Sequence, residues 1–241
     1  RVRAPLGARQ INDMPKNLAI VGYGKMGRLI EQFAPEAGFS VGLKLDIDTN
    51  LNQQAITPEN FRGVDVAIEF STPHVAVANL ERLCAIGVST VVGTTGWYDE
   101  LDRVRVFVDK SNAGVVWSAN YSIGVNVFRR VVAEAARLMA NEETYAAWAW
   151  EIHHSAKKDA PSGTLLQLIE EMKRAGYSRP IDASSNRAGT IPGTHEIGFD
   201  SAADTITLRH TARSREGFAR GALKAAQWVI GKRGLHEFGE V

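Results

Sequence analysis

Asn17-Leu-Ala-Ile-Val-Gly22 runs directly into Gly22-Tyr-Gly-Lys-Met-Gly27, and few folds accommodate that junction. The first stretch is a short apolar run of the kind found in strands buried on both faces. The second spaces its glycines as G-x-G-x-x-G. Met26, Leu29, Ile30 and Phe33 then recur at helical spacing, Gly38 stops the helix, and a second strand is expected from about Ser40 to Asp46. In that order the elements form a dinucleotide-binding unit. Gly22 permits the tight turn, Gly24 lets a pyrophosphate reach the backbone, and Gly27 lets the helix pack on the strand. The pyrophosphate then meets the positive end of the helix, flanked by Tyr23, Lys25 and Met26, with Asp46 placed for the ribose.

Further strand–helix units follow. Strands are expected at Val64–Phe70, Val88–Gly93 and Gly114–Ser118, with a helix from His74 to Ala85. This alternation implies an α/β fold, a doubly wound parallel sheet of Rossmann type whose strand C-termini share one edge. Ligands bind at that edge. Gly93, Thr94 and Thr95 in one turn, and Ser118, Ala119, Asn120 and Tyr121 in another, are therefore candidate cofactor contacts, as are Ser71 and Thr72. Each turn could equally be an ordinary capped helix start.

Beyond Tyr121 the pattern changes. Val125–Met139 is helical, and then Ala146, Trp148, Trp150 and Ile152 alternate with Tyr145, Ala147, Ala149 and Glu151, as in a strand. The tryptophans form one aromatic patch, suited to packing under a helix or to a subunit interface. Two more strands are expected at His195–Phe199 and Asp204–His210, so the second domain should be a smaller α+β unit with a mixed sheet. A last helix, Phe218–Ile230, should return to the first domain. The expected division is 14–121 with 212–241 for the dinucleotide and 122–211 for substrate and oligomerisation. Residues 1–13, Arg-rich and without an apolar centre, read as a disordered extension or an expression remnant.

The stretch Glu151-Ile-His-His-Ser-Ala-Lys-Lys-Asp-Ala-Pro-Ser-Gly-Thr164 concentrates the chemistry. On a strand His153 and His154 point to opposite faces, which argues against their chelating one metal, and no metal site is expected. One imidazole can serve as a proton donor near neutrality. Pro161 suits the first position of a helix. Ser162, Gly163 and Thr164 would then offer amides and hydroxyls to a carboxylate, with Lys157 or Lys158 adding positive charge. Arg209, Arg213 and Arg215 lie near His210, as a solvated face or a clamp for a second carboxylate. The formal net charge of +1 and the lack of a clustered basic face exclude a nucleic-acid module. No apolar run approaches the roughly 18 residues of a membrane helix. The single cysteine, Cys84, excludes an internal disulfide and reads as a core residue, so the expected compartment is the cytoplasm.

From Met14 to Val241 the chain resembles the 4-hydroxy-tetrahydrodipicolinate reductase, or dihydrodipicolinate reductase, family. The resemblance rests on Gly22–Gly27, Gly93-Thr-Thr-Gly96, Ser118–Asn126, Glu151–Thr164, Arg187 with Gly193-Thr-His195, and His210–Ala222. It implies a reductase of lysine and diaminopimelate biosynthesis that uses NADH or NADPH and releases water from its 4-hydroxy substrate. By the same resemblance His153 is the proton donor and Lys157 assists it. His154, Gly163, Thr164 and Arg215 bind the dicarboxylate. The family is typically a homotetramer built on the sheet of the second domain, and closes by hinge motion. Family members often have Arg after the acidic residue that ends the second strand; here Ile47 follows Asp46, which favours NADH unless Lys44 compensates. The alternatives are another small nicotinamide-dependent dehydrogenase, of the aspartate type, and a non-catalytic dinucleotide sensor.

Overall fold

The computed structural model describes residues 14–241, so the expectation for residues 1–13 lies outside the described residues. The chain divides into two compact units, one running to Ser118 and resuming at Ala222, the other from Ala119 to Gly221.

The first unit is built on strands β1 (Lys16–Val21), β2 (Phe39–Leu45), β3 (Val66–Glu69), β4 (Thr90–Val92) and β5 (Gly114–Trp117). Its helices are α1 (Lys25–Phe33), α2 (Pro73–Ala85) and α3 (Leu101–Asp109). The last four residues of β1 and all of β3 and β4 are buried, which is why they read as unbroken apolar runs. A strand absent from the sequence reading, Gly234–Glu237, completes the sheet in the order Gly234–Glu237, β5, β4, β3, β1, β2, all parallel. The order reverses between β1 and β3, the place where doubly wound sheets leave a ligand crevice. One core holds Leu80, Cys84, Val104, Val108 and Val115; another holds Ala19, Val21, Phe61, Ala67 and Leu83.

In the second unit, helix α4 (Ile123–Met139) leads into β6 (Ala146–His153), and α5 (Gly163–Arg174) precedes β7 (Ile181–Arg187), β8 (Thr194–Asp200) and β9 (Thr205–Thr211). The sheet order is β7-β6-β8-β9, parallel between β6 and β7 and antiparallel elsewhere. Helix α6 (Glu216–Val229) starts in this unit and the strand Gly234–Glu237, β10, follows it. The boundary therefore falls inside α6 at Ala222, later than residue 212. Among the described residues no helix is long and apolar enough to cross a membrane.

Two local expectations are corrected. Pro161 does not open α5: the helix starts at Gly163, and Ser162 is its N-cap, accepting from Leu165 N through Oγ at 3.2 Å. The tryptophans do not pack under a helix either. The core of this unit joins Ala147 and Ala149 of β6 to Leu165, Leu168 and Met172 of α5 and to Phe128 and Val132 of α4. Small alanines let the helices approach that face, leaving Trp148 and Trp150 on the opposite, half-buried one. There Trp150 Nε1 donates to Asn186 Oδ1 at 2.6 Å. Leu168 is fully buried in the core. Leu168→Ala should lower the stability of this unit by about 2–5 kcal/mol, seen as an earlier urea midpoint.

Candidate active site

At the sheet reversal, Phe70 N donates to Val21 O at 2.8 Å, drawing the ends of β1 and β3 together. Gly22 sits in that junction with φ +95°, and a Cβ there would lie 2.2 Å from Phe70 O. A Cβ on Gly27 would lie 2.5 Å from Gly22 O, whereas nothing lies within 4 Å of the Cβ direction of Gly24. The outer glycines are thus required by close packing, while the middle one leaves backbone open at the start of α1. A cavity of about 490 Å³ opens here, lined by Gly22, Gly24, Asp46, Ile47, Ser71 and Asn79 among others. Its glycine turn, helix start and terminal acid fit a dinucleotide.

Tyr23 is half-buried, and its hydroxyl bonds to Glu31; Arg28 and Lys44 lie 5.0 Å and 4.9 Å from its ring. Lys44 Nζ also pairs with Glu31 Oε1 at 2.9 Å. Lys25 is exposed and Met26 half-buried at the start of α1. In the Gly93 turn the two threonines differ. Thr94 is buried: its Oγ1 accepts from Ser71 N at 2.8 Å and its carbonyl from Trp97 Nε1 at 2.7 Å. Thr95 is exposed. In the other turn Ser118 and Tyr121 are buried, Ala119 is exposed, and Asn120 Oδ1 accepts from Ser122 N at 2.9 Å.

Under the Gly93 turn lies a residue the sequence reading passed over. Glu69 ends the apolar strand β3 and is fully buried. Its Oε1 accepts from Ser71 Oγ, and from Ser71 N at 3.3 Å and Asn79 Nδ2 at 3.2 Å. Oε2 has no partner. Burial pushes this carboxyl up, with the hydrogen bonds from Ser71, Thr94 and Asn79 opposing it. The signal was an acid inside a buried strand.

The second unit gathers its polar groups on one row of the sheet. In register, Ser185 of β7, Glu151 of β6, His195 of β8 and His210 of β9 lie side by side, and His153 is opposite Arg187. Glu151 is fully buried. Its Oε1 accepts from Ser162 N at 2.8 Å, Arg187 Nη2 at 2.9 Å and Ser185 Oγ at 3.0 Å, and Oε2 accepts from Ser162 Oγ. Burial pushes this carboxyl up, but hydrogen bonds from Ser162, Arg187 and Ser185 outweigh it and hold the group below its ordinary value. His153 Nδ1 stands 3.5 Å from Oε2 and His195 Nε2 3.4 Å. The imidazoles meet edge to face with centroids 5.0 Å apart. Burial depresses both, His195 to about 4 with His153 adding to the effect. Glu151, His153 and His195 bring ligand atoms within 4.8 Å of one another, close enough for a metal. Here the Arg187 guanidinium already supplies the positive charge and the serines occupy the carboxylate.

The site residues therefore fall into groups. His153 and the start of α5 are brought together, joined through Glu151. Ser162, expected to offer its amide and hydroxyl to a substrate carboxylate, instead has both engaged by Glu151. Gly163 is exposed and Thr164 half-buried, and as the first helical residues their amides precede the intrahelical bonds. Lys157 Nζ pairs with Asp159 Oδ1 at 2.7 Å. His154 is half-buried. Arg215 is exposed just before α6, and no contact ties its side chain to the Glu151 group among the described residues. Arg187 had been noticed only as a loop marker; it ends β7 and also bonds Asp159 O.

Two models of one family match the chain in succession, Dihydrodipicolinate reductase, N-terminus, over residues 16–121 and Dihydrodipicolinate reductase, C-terminus, over residues 124–241. The chain belongs to the dihydrodipicolinate reductase family. A 4-hydroxy-tetrahydrodipicolinate reductase of Christiangramia forsetii is 34% identical, covering 93% of this chain and 97% of that protein. The reductase of the same name from Neisseria meningitidis serogroup B is 31% identical over 94% and 97%. A solved dipicolinate-bound dihydrodipicolinate reductase from Paenisporosarcina sp. TG-14 has the same fold, with a TM-score of 0.77 at 20% identity, covering 95% of this chain and all of that one.

The raised carboxyl of Glu69 has a sign that can be tested. The folded state holds its proton more tightly than the unfolded chain, so its contribution is complete below the ordinary carboxylate range and is lost as pH rises through the raised value. Glu69→Gln keeps the shape without the charge. Its melting temperature relative to wild type should climb as pH rises above the ordinary carboxylate range; a constant difference would show that Glu69 does not titrate as argued.

Proposed function

We infer that this family member reduces 4-hydroxy-tetrahydrodipicolinate to tetrahydrodipicolinate with one NAD(P)H and one proton, releasing water and NAD(P)⁺, in lysine and diaminopimelate biosynthesis. The observation that carries the reading is the link from His153 through Glu151 to the opening of α5. A dicarboxylate has amides at Gly163 and Thr164 there, beside an imidazole able to move a proton. Neither an aspartate-type dehydrogenase nor a dinucleotide sensor calls for that combination.

A bound dinucleotide supplies hydride. The chain's own residues do the rest. Gly163 and Thr164 hold one carboxylate with His154, and Arg215 serves the other. Lys157 exchanges Asp159 for the substrate and offsets charge developing on the ring. Hydride arriving at a conjugated imine leaves an electron-rich enamine, and His153 gives it a proton. The arriving dianion raises the affinity of the depressed imidazole for that proton, so substrate and proton enter together.

We assign the cofactor contacts to the glycine turn from Gly22 to Gly27 and to Asp46, Thr95 and the turn from Ser118 to Tyr121, with Thr94 bracing its neighbour. NADH is the preferred donor. Asp46 lines the cavity beside the apolar, 75% exposed Ile47, and Lys44 is engaged by Glu31. A carboxylate there accepts from a ribose hydroxyl and repels a 2′-phosphate. Trp148 and Trp150 on the uncovered sheet face support a homotetramer formed through that sheet, and a chain with one cysteine suits the cytoplasm.

NADH oxidation followed by absorbance, with the product of dihydrodipicolinate synthase as substrate, tests the activity. His153→Ala should lower kcat by roughly a hundredfold or more while NADH binding is kept; equal losses in both would remove the role given to His153. A higher kcat/KM with NADPH than with NADH would overturn the cofactor preference.

A further inference from the structure

His153 has two ring nitrogens, and only one can face a substrate. Nδ1 is buried and has no hydrogen-bond partner; the nearest charged atom is Glu151 Oε2 at 3.5 Å. A bare nitrogen lone pair turned toward a carboxylate oxygen is repelled, whereas an N–H there is attracted. Nε2 points toward Gly193, whose Cβ, if it had one, would lie 2.9 Å away. Gly193 has φ +151°, so the chain passes this ring with backbone alone. The backbone around the ring is tied down: Ala188 N donates to His153 O at 2.9 Å, and Ser155 N to Gly189 O at 3.1 Å.

The carboxylate is itself held at both oxygens. Two serines and Arg187 fix Oε1 and Oε2, and His195 closes the other side, its Nε2 3.2 Å from Ser162 Oγ. We propose that Glu151 is a positioning residue for the reduction: its fixed carboxylate keeps a proton on His153 Nδ1, so that Nε2, which faces the side-chain-free Gly193, is the atom that delivers the proton to substrate. This rests on His153 being the proton donor. Ser162 then has two tasks. It caps α5, which carries the carboxylate cradle, and it binds the acid that orients the donor, so cradle and donor keep a fixed spacing.

The charges facing His153 set the expected pH behaviour. Glu151 on its own strand and Asp159 in the following loop favour its protonated form. Burial, Lys157 in that loop and Arg187 on β7 oppose it, and His195 faces it from β8. Removing the charge of Glu151 lowers the affinity for the proton further. A donor must be protonated, so activity falls as pH rises through its pKa, and that limb should move to lower pH.

Glu151→Gln should therefore reduce kcat about ten- to a hundredfold, leave the KM for NADH within about twofold, and shift the alkaline limb of the kcat/KM profile toward acid. A profile superimposable on wild type would make Glu151 a support for the helix cap alone and overturn the proposal. Because that variant removes a buried anion and could fail to fold, the unmodified protein supplies a second measurement. Imidazole ¹⁵N spectra at a pH where His153 is neutral, with its signals assigned by their loss in His153→Gln, should show the proton on Nδ1. A proton on Nε2 instead overturns the proposal. The tautomer is read without substrate, so it decides the role of Glu151 even where the reductase reading fails.

Discussion

The second unit depends on one buried negative charge. An ionised carboxylate taken out of water is strongly destabilising unless its lone pairs are filled and its charge is matched. Glu151 meets both conditions with a backbone amide, two hydroxyls and a guanidinium. The donors come from two distant parts of the chain: Ser162 at the start of α5, and Ser185 and Arg187 from β7. Satisfying the charge therefore assembles the site. Arg187 also holds Asp159 O, so the loop carrying Lys157 is tied to the same centre. Removing a single donor would leave the charge under-matched, which makes the arrangement close to all-or-none.

What could be read in the chain beforehand follows from the range of the interactions involved. The glycine turn and strands β1 to β5 of the first sheet are set by neighbours a few residues apart, and they were legible. Strand β7, Ile-Asp-Ala-Ser-Ser-Asn-Arg, carries no apolar alternation because it lies at the edge of a sheet with one uncovered face, and it escaped notice. Strand β10 is four residues long and sits at the sheet edge, too short to show a period. Helix α3 did offer a signal, in Val104 and Val108 one turn apart and fully buried. The role of Ser162 was misassigned for a different reason. Its partner Glu151 is brought to it by tertiary packing, and the row Ser185–Glu151–His195–His210 exists only through strand register. Local sequence carries no statement of register beyond the period of alternation.

The two buried glutamates show how the same side chain is driven to opposite states. Glu69 and Glu151 are each fully inaccessible, and each is bonded by a serine through both amide and hydroxyl. Desolvation is the largest influence on both. The difference is the cation. Arg187 reaches Glu151, while the further partners of Glu69 are the neutral groups of Asn79 and Thr94. Neutral donors only partly offset the loss of water, so Glu69 retains its proton to higher pH; a guanidinium adds charge–charge attraction in a medium of low dielectric constant, and Glu151 ionises. The consequence fits the work of each unit. Beside the crevice at the sheet reversal, a carboxyl that holds its proton to higher pH braces Ser71 and, through it, Thr94. Beside the His153 imidazole the guanidinium keeps Glu151 negatively charged, and the arginine is itself neutralised by the pairing. Placing a cation next to one glutamate and withholding it from the other thus divides the chemistry between the two halves of the chain.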